Sequence, residues 1–202
     1  MRKKSNADSM RSTILKGFED SISLKQTVLA DERLLGVIAA VVEACLQSLR
    51  EGGKLLFAGN GGSAADAQHL AAEFSGRFYY DRPPLYAEAL HVNTSYLTAV
   101  ANDYGYEESY ARMVRAMGKK GDVLFALSTS GNSPNVVRAV EAANEAGMVT
   151  VGFTGQDGGR LAEICTHLFG VPSKDTPRIQ EVHMLAGHII CELVEERLFP
   201  RQ

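Results

Sequence analysis

The sequence lacks the features that mark membrane-spanning, secreted and nucleic-acid-binding proteins. No apolar run approaches the ~20 residues that a membrane span needs, and polar residues follow the basic N-terminal segment where a secretory signal would have an apolar core. The formal net charge of −3 disfavours the counterion-releasing contacts that dominate nucleic-acid binding. We therefore expect a cytoplasmic protein that binds neither a membrane nor nucleic acid.

Cysteine is scarce, and its three positions, Cys45, Cys165 and Cys191, are widely separated among apolar neighbours. An odd and dispersed set predicts neither a disulfide framework nor a metal site of the Cys-x-x-Cys type. We interpret the three residues as free thiols buried in the core.

The chain of 202 residues has no break in composition, so we expect one domain over residues 1–202. Apolar spacing predicts two N-terminal helices within about residues 9–51, the first ending at Leu29 and the second starting at Asp31. Helical segments separate most of the five apolar runs that follow, which lie near residues 54–58, 85–90, 123–127, 149–153 and 168–171. This alternation predicts an α/β fold with a five-stranded parallel sheet, flanked by helices and binding its ligand at the carboxyl ends of the strands.

The first predicted helix stands outside this α/β pattern and has no obvious place within the domain. We therefore expect it to help assemble an oligomer.

The strongest local signal is an apolar strand that runs into the glycine turn Gly59–Ser63 and then into a helix. The first backbone amides of such a helix, at the positive end of its dipole, suit a phosphate group. Glycines that serve only an ordinary turn are the alternative. The spacing matches neither the dinucleotide fingerprint nor the P-loop, so we do not expect a nucleoside triphosphate.

A second loop, Ser128–Ser133, repeats this layout with hydroxyl groups, and Pro134 takes the place of a first helical residue. The loop could be an ordinary helix N-cap, since serine and asparagine are preferred there. A cap needs only one hydroxyl, whereas this loop offers four. We therefore favour a phosphate site that combines hydroxyls with the first amides of the helix.

Four further side chains fall on helices beside the same strand ends. His69 and Glu73 are one helical turn apart, and Gln180 and His188 are two turns apart on a last helix that begins near Pro177. Each pair alone is consistent with a solvated helix face or with a histidine bonded into the core. Together they offer two imidazoles, a carboxylate and an amide, a set that suits acid–base chemistry or a zinc ion.

These motifs resemble those of the sugar isomerase (SIS) domain family and, within it, the phosphoheptose isomerases. The resemblance spans nearly the whole chain. It includes Gly59–Ser63, His69 with Glu73, Gly76-Arg77, Asn102-Asp103, Ser128–Ser133, and Arg178–Glu181 followed by His183 and His188.

The resemblance implies a flavodoxin-like SIS fold and an aldose–ketose isomerase. It implies conversion of D-sedoheptulose 7-phosphate to D-glycero-D-manno-heptose 7-phosphate, the first step of nucleotide-activated heptose biosynthesis. Glu73 would be the base and His188 the acid. The implied phosphate site is Ser128, Thr129, Ser130 and Ser133. The implied sugar contacts are Asn60, Gly61, Gly62, Asp103 and Gln180, beside Ser63 and Asn102 of the same motifs, with Arg77 near the pocket across a subunit boundary.

The resemblance also implies a homotetramer with sites near subunit interfaces, and one zinc ion per subunit at His69, Glu73, Gln180 and His188. A glutamate that binds zinc is a poorer base, so the role of Glu73 as base, ligand or both stays open. One departure is visible, because some relatives carry aspartate where this chain has Pro177.

Two other functions remain as alternatives. One is a non-catalytic SIS protein that binds the replication initiator, and the other is a sugar-phosphate sensor. The presence of Glu73 and His188 favours the enzyme.

Overall fold

The computed structural model describes residues 6–201, and the side chains from residue 8 onward; residues 1–5, most of the basic segment noted above, and residue 202 lie outside it. The helices are α1 (Asn6–Leu29), α2 (Glu32–Arg50), α3 (Gly62–Ser75), α4 (Thr94–Tyr104), α5 (Ser109–Met117), α6 (Pro134–Glu145), α7 (Leu161–Ile164) and α8 (Thr176–Leu198), with a 3-10 turn at Tyr106–Glu108. The strands are β1 (Leu55–Gly59), β2 (Ala87–Ala89), β3 (Val123–Leu127), β4 (Val149–Thr154) and β5 (His167–Gly170).

The five strands form one parallel sheet in the order β2-β1-β3-β4-β5, as the alternating pattern predicted. β1 and β3 are buried at every position, which is expected of strands covered by helices on both faces. One core joins the sheet to α2, α3 and α8, and a second joins its other face to α5 and α6. Within residues 6–201, no helix combines the length and apolar character required to cross a membrane.

The strand register places the two predicted loops side by side. Gly59, the last residue of β1, pairs with Leu127, the last residue of β3. The next residues, Asn60 and Ser128, therefore begin the two loops at the same edge of the sheet. This edge is the carboxyl end of the strands, where open α/β sheets bind ligands.

The two N-terminal helices differ in how far they enter the core. Asp31 caps α2 by accepting hydrogen bonds from the amides of Arg33 and Leu34, and seven residues of α2 are buried. In contrast, α1 contributes Val28 to the core, with Leu24 packed against it, and contacts α8 through polar bonds such as that from Ser21 Oγ to Glu181 Oε2 at 2.6 Å. The first helix therefore does have a place within the domain, although it leaves much apolar surface uncovered.

The cysteine prediction is confirmed for two of the three residues. Cys45 and Cys191 are buried and free, whereas Cys165 is free but only partly buried. Cys165 follows the short helix α7 and precedes β5, the strand at one edge of the sheet. Burial raises the pKa of Cys165 to about 12, so this thiol stays protonated at neutral pH.

Candidate active site

The Ser128–Ser133 loop gathers its hydroxyl groups around one point. Ser128 Oγ lies 3.0 Å from Ser133 Oγ and 3.4 Å from Ser130 Oγ. Ser128 is buried, Thr129 and Ser133 are half-buried, and Ser130 is exposed. The loop thus presents neutral donors from its buried end outwards, at the amino end of α6.

The alternative of a simple helix cap does not describe Ser133. It occupies the N-cap position of α6, and Pro134 follows it in the first turn, but its side chain makes no capping hydrogen bond. Its hydroxyl faces Ser128 instead. This arrangement leaves the hydroxyl available to a ligand and favours the phosphate interpretation.

Gly131 allows the tight path of this loop. Its φ is +68°, and a Cβ there would lie 1.9 Å from the carbonyl oxygen of Gly158. The amide of Arg160 also donates to Asn132 Oδ1 at 2.9 Å. The segment after β4 therefore supports the loop from outside.

An amide pair that the sequence analysis did not identify joins the two loops. Asn60 Nδ2 donates to Asn135 Oδ1 at 2.8 Å, and Asn135 Nδ2 donates to Asn60 Oδ1 at 2.9 Å. Tyr106 Oη also donates to Asn60 Oδ1, at 3.0 Å. Asn135 is 2% exposed at the start of α6, so the pair fixes the glycine turn to the serine loop. In the sequence, only the position of Asn135 next to Pro134 could have indicated that this residue has a role at the site.

The glycine turn brings the backbone of α3 close to Gln180 on α8. A Cβ at Gly62 would lie 2.6 Å from Gln180 Nε2, and this amide lies 3.4 Å from Ser63 Oγ. Gly61, with φ of +55°, is the N-cap residue, so no side chain covers the start of the helix. The predicted residues Gly61, Gly62, Ser63 and Gln180 therefore meet at one place.

Three of the four predicted metal ligands converge. The Nε2 atoms of His69 and His188 are 3.1 Å apart, and His69 Nε2 is 3.1 Å from Glu73 Oε1. A tetrahedral zinc ion with bonds of about 2.0–2.1 Å separates its donor atoms by about 3.3 Å, so the observed spacing fits such an ion. The fourth predicted ligand, Gln180, faces Ser63 here and stays a prediction.

Burial shapes the acidity of the cluster. It lowers the pKa of His188, the imidazole of His69 lowers it further, and the carboxylate of Glu73 only partly offsets both. A neutral imidazole is the form that binds a metal. Asp66, one turn before His69, has its pKa raised to about 6 by burial. Asp66, Gln180 and His188 line an open depression of about 600 Å³.

Other predicted residues are not brought into these contacts. Arg77 is exposed after α3 and forms no hydrogen bond or ion pair with residues 8–201. Asn102 and Asp103 are exposed near the end of α4 and bond to each other at 2.8 Å. Asp175, two residues before Pro177, is the N-cap residue of α8 but makes no side-chain cap. The roles of Arg77, Asn102 and Asp103 at the site stay predictions.

Fold and site together define a SIS domain, and the SIS domain profile matches residues 18–155. The chain is 57% identical over 175 residues to the phosphoheptose isomerase of Burkholderia pseudomallei (strain 1710b), covering 87% of this chain and 89% of that protein. It is 50% identical over 190 residues to the phosphoheptose isomerase of Aneurinibacillus thermoaerophilus, covering 94% and 96%. The structure of phosphoheptose isomerase from Neisseria gonorrhoeae matches with a TM-score of 0.87 at 43% identity, covering 93% of this chain and 99% of that one. The chain belongs to the SIS domain family and, within it, to the phosphoheptose isomerases.

Proposed function

We propose that the chain isomerises D-sedoheptulose 7-phosphate to D-glycero-D-manno-heptose 7-phosphate, the first step of nucleotide-activated heptose biosynthesis. The observation that carries this proposal is the convergence of Glu73 and His188 from different helices. The cluster lies on α3 and α8, and α3 begins beside the serine loop at the same end of the sheet. An acid–base pair and a separate phosphate site are the two parts that a sugar-phosphate isomerase requires.

The serine loop would hold the phosphate and set the register of the sugar. Its four hydroxyls and the first amides of α6 are neutral donors, which bind an anion through directed hydrogen bonds. Asn60, Gly61, Gly62, Ser63 and Gln180 would then contact the sugar. The amide pair of Asn60 and Asn135 supports this division, since it holds the two loops at a fixed spacing.

Glu73 would remove the proton from C1 of the ketose while the carbonyl oxygen at C2 gains a proton, which gives an enediol. The proposal assigns the supply of that proton to His188, which can act as the acid only while its ring carries a proton and is not a metal ligand. Return of a proton to C2 and loss of the hydroxyl proton at C1 then give the aldose. The reaction requires no redox cofactor, because the substrate is oxidised at C1 and reduced at C2.

The cluster fits a zinc ion, one per subunit, held by His69, Glu73 and His188 with Gln180 as a fourth ligand. When bound, zinc would polarise the substrate carbonyl and stabilise negative charge on the enediolate. Glu73 is a weaker base while it is a ligand, so proton removal then requires that its carboxylate detach or that a water molecule carry the proton.

We also propose a cytoplasmic homotetramer with sites near subunit interfaces. Four apolar side chains recur every four residues along the outer face of α1: Met10, Ile14, Phe18 and Ile22 are all more than half exposed. A contiguous stripe of this kind is typical of a surface that another chain covers. Arg77 is exposed as well, which suits a residue that completes the site of a neighbouring subunit.

NMR spectroscopy of the purified protein with D-sedoheptulose 7-phosphate tests the proposed reaction directly. We expect the aldoheptose 7-phosphate to accumulate with the wild-type protein and at least about 1,000-fold more slowly with Glu73→Gln, which keeps the shape but cannot act as a base. Absence of turnover by folded, zinc-supplemented wild-type protein would contradict the proposal and favour the non-catalytic alternative.

A further inference from the structure

A buried ion pair joins the two helices that carry Glu73 and His188. Arg82 lies in the segment 76–86 after α3, and Glu195 lies near the carboxyl end of α8. Arg82 Nε donates to Glu195 Oε1 at 3.1 Å, and the two side chains are only 2% and 1% exposed. Desolvation offsets much of the attraction in such a pair, so stability alone is a weak explanation for it.

The Arg82 guanidinium holds the end of α3. Arg82 Nη2 donates to the carbonyl oxygen of Glu73 at 2.9 Å. Arg82 Nη1 donates to the carbonyl oxygens of Phe74 at 2.7 Å and Gly76 at 2.9 Å. The last carbonyls of a helix have no partner within the helix, and a cation there is favourable. Arg82 therefore fixes the backbone of the proposed base itself.

The Glu195 carboxylate holds the backbone of the segment 76–86. The amides of Phe78 and Tyr79 donate to its two oxygens at 2.8 and 2.7 Å. The ring of Phe78 in turn packs against the imidazole of His188, with 5.5 Å between ring centres. Glu195 follows His188 by about two turns of α8, so both face the segment 76–86.

The contacts of Glu195 keep it ionised. Burial would raise its pKa, but the two backbone amides and Arg82 outweigh burial and hold the pKa below its ordinary value. Each carboxylate oxygen has at least one donor, and the guanidinium has five acceptor contacts. The network is thus satisfied on both sides, which is what makes a buried polar network rigid.

We propose that Arg82 and Glu195 are positioning residues that set Glu73 and His188 at their working separation. This inference rests on the proposed function, since it assigns the pair a purpose through those two groups. Both side chains are almost fully buried, so the proposal assigns them no contact with the substrate. Catalytic groups need placement within about 0.5 Å, and a displacement of about 1 Å can cost on the order of 100-fold in rate.

Glu195→Gln keeps the size of the side chain and removes its charge. We expect kcat to fall by about 10- to 100-fold, as is usual when a residue that orients metal ligands is changed. We expect KM to change less, because the serine loop is untouched. Affinity for Co²⁺ added to metal-free protein, followed by its visible absorption, should fall by a similar factor of about 10 to 100.

A second buried ion pair provides the matched control. Lys54 Nζ and Asp122 Oδ2 are 2.5 Å apart with 8% and 2% exposed side chains, and they precede β1 and β3 at the opposite end of the sheet. Asp122→Asn should lower thermal stability but leave kcat and Co²⁺ affinity within about threefold of wild type at temperatures where it is folded. Equal losses of kcat and Co²⁺ affinity in both variants would contradict a positioning role.

If Glu195→Gln does not fold, the double variant Arg82→Met/Glu195→Leu replaces the pair without leaving a lone buried charge. A folded variant of either kind that retains wild-type kcat and Co²⁺ affinity overturns the proposal, as does failure of both to fold, since the pair would then be structural. The Co²⁺ comparison requires no turnover. It therefore tests positioning even if the wild-type protein does not isomerise sedoheptulose 7-phosphate.

Discussion

His69 and His188 lie 119 residues apart in the chain, yet their Nε2 atoms are separated by only 3.1 Å. Two imidazoles at this distance must share one proton, bind a common ion, or repel each other as cations. Glu73 Oε1 stands 3.1 Å from the same His69 nitrogen. Two of the three donor separations therefore match those of a tetrahedral metal site, and the donor atoms of all three residues lie within 4.8 Å of one another.

Metal content is the first consequence that can be measured. We expect elemental analysis of the purified protein to find about one zinc ion per chain, and exhaustive chelation to abolish isomerisation until zinc is returned. His69→Ala should lower zinc content with the fold intact, since His69 is an exposed position on α3. Full activity in protein free of metal would rule out a metal-assisted site.

The hydroxyls of the serine loop give a second prediction. Ser133→Ala removes a donor at the start of α6 without removing a helix cap, because Ser133 makes no capping bond. A hydrogen bond to a charged group contributes about 1.5–3 kcal/mol, so we expect KM to rise by roughly 10- to 100-fold, with a smaller change in kcat. Steady-state kinetics with the phosphorylated sugar measures both constants.

Ser48→Ala is a suitable control for that measurement. Ser48 is a buried serine on α2 whose hydroxyl has no hydrogen-bond partner among the described residues. Removal of the Ser48 hydroxyl should leave both kcat and KM unchanged. A normal KM for Ser133→Ala would contradict the assignment of the loop to phosphate.

The sequence predicted the elements of the fold because its patterns were local. Strand β3 is an unbroken apolar run with a turn at each end, and its predicted and observed bounds are identical. The contacts within the site were harder to predict from the sequence. The pairing of Asn60 with Asn135 and the convergence of Arg82 with Glu195 join residues 75 and 113 positions apart, and no local spacing indicates such contacts.

Helix α1 gives a third prediction. The protein should be a tetramer by light scattering, and Phe18→Glu combined with Ile22→Glu should shift it towards smaller species. Phe18 and Ile22 are 68% and 55% exposed, so the substitutions should change the stability of a single chain little. In the tetramer they would place charges in the apolar surface that another chain covers. The matched change Glu19→Gln, on another face of the same helix, should not alter the mass. A monomeric wild-type protein would contradict assembly through α1.

His183 leads to a prediction about stability at acid pH. It is fully buried on the inner face of α8, and its Nε2 lies 3.0 Å from the carbonyl oxygen of Thr154, which assigns the proton to that nitrogen. Its other nitrogen, Nδ1, has no hydrogen-bond partner among the described residues. Burial lowers the pKa of His183 to about 4, so the native protein keeps the ring neutral.

The unfolded chain protonates this histidine near its ordinary pKa of 6.5, whereas the folded protein does so only near 4. Above pH 6.5 neither state binds the proton and His183 has no effect on the pH dependence. Between these values the unfolded state alone binds it, so the free energy of unfolding falls as the pH falls. A difference of 2.5 pKa units corresponds to about 3 kcal/mol in all, of which roughly 2–3 kcal/mol is lost by pH 4.5.

Urea denaturation at several pH values between 7.5 and 4.5 measures this loss. The variant His183→Gln keeps an amide that can donate to Thr154 and cannot titrate, so its free energy of unfolding should fall by roughly 2–3 kcal/mol less than that of the wild type over the same range. Other groups, such as Glu195, titrate alike in both proteins and cancel in the comparison. Parallel pH profiles for the two proteins would mean that water reaches His183 in the folded state.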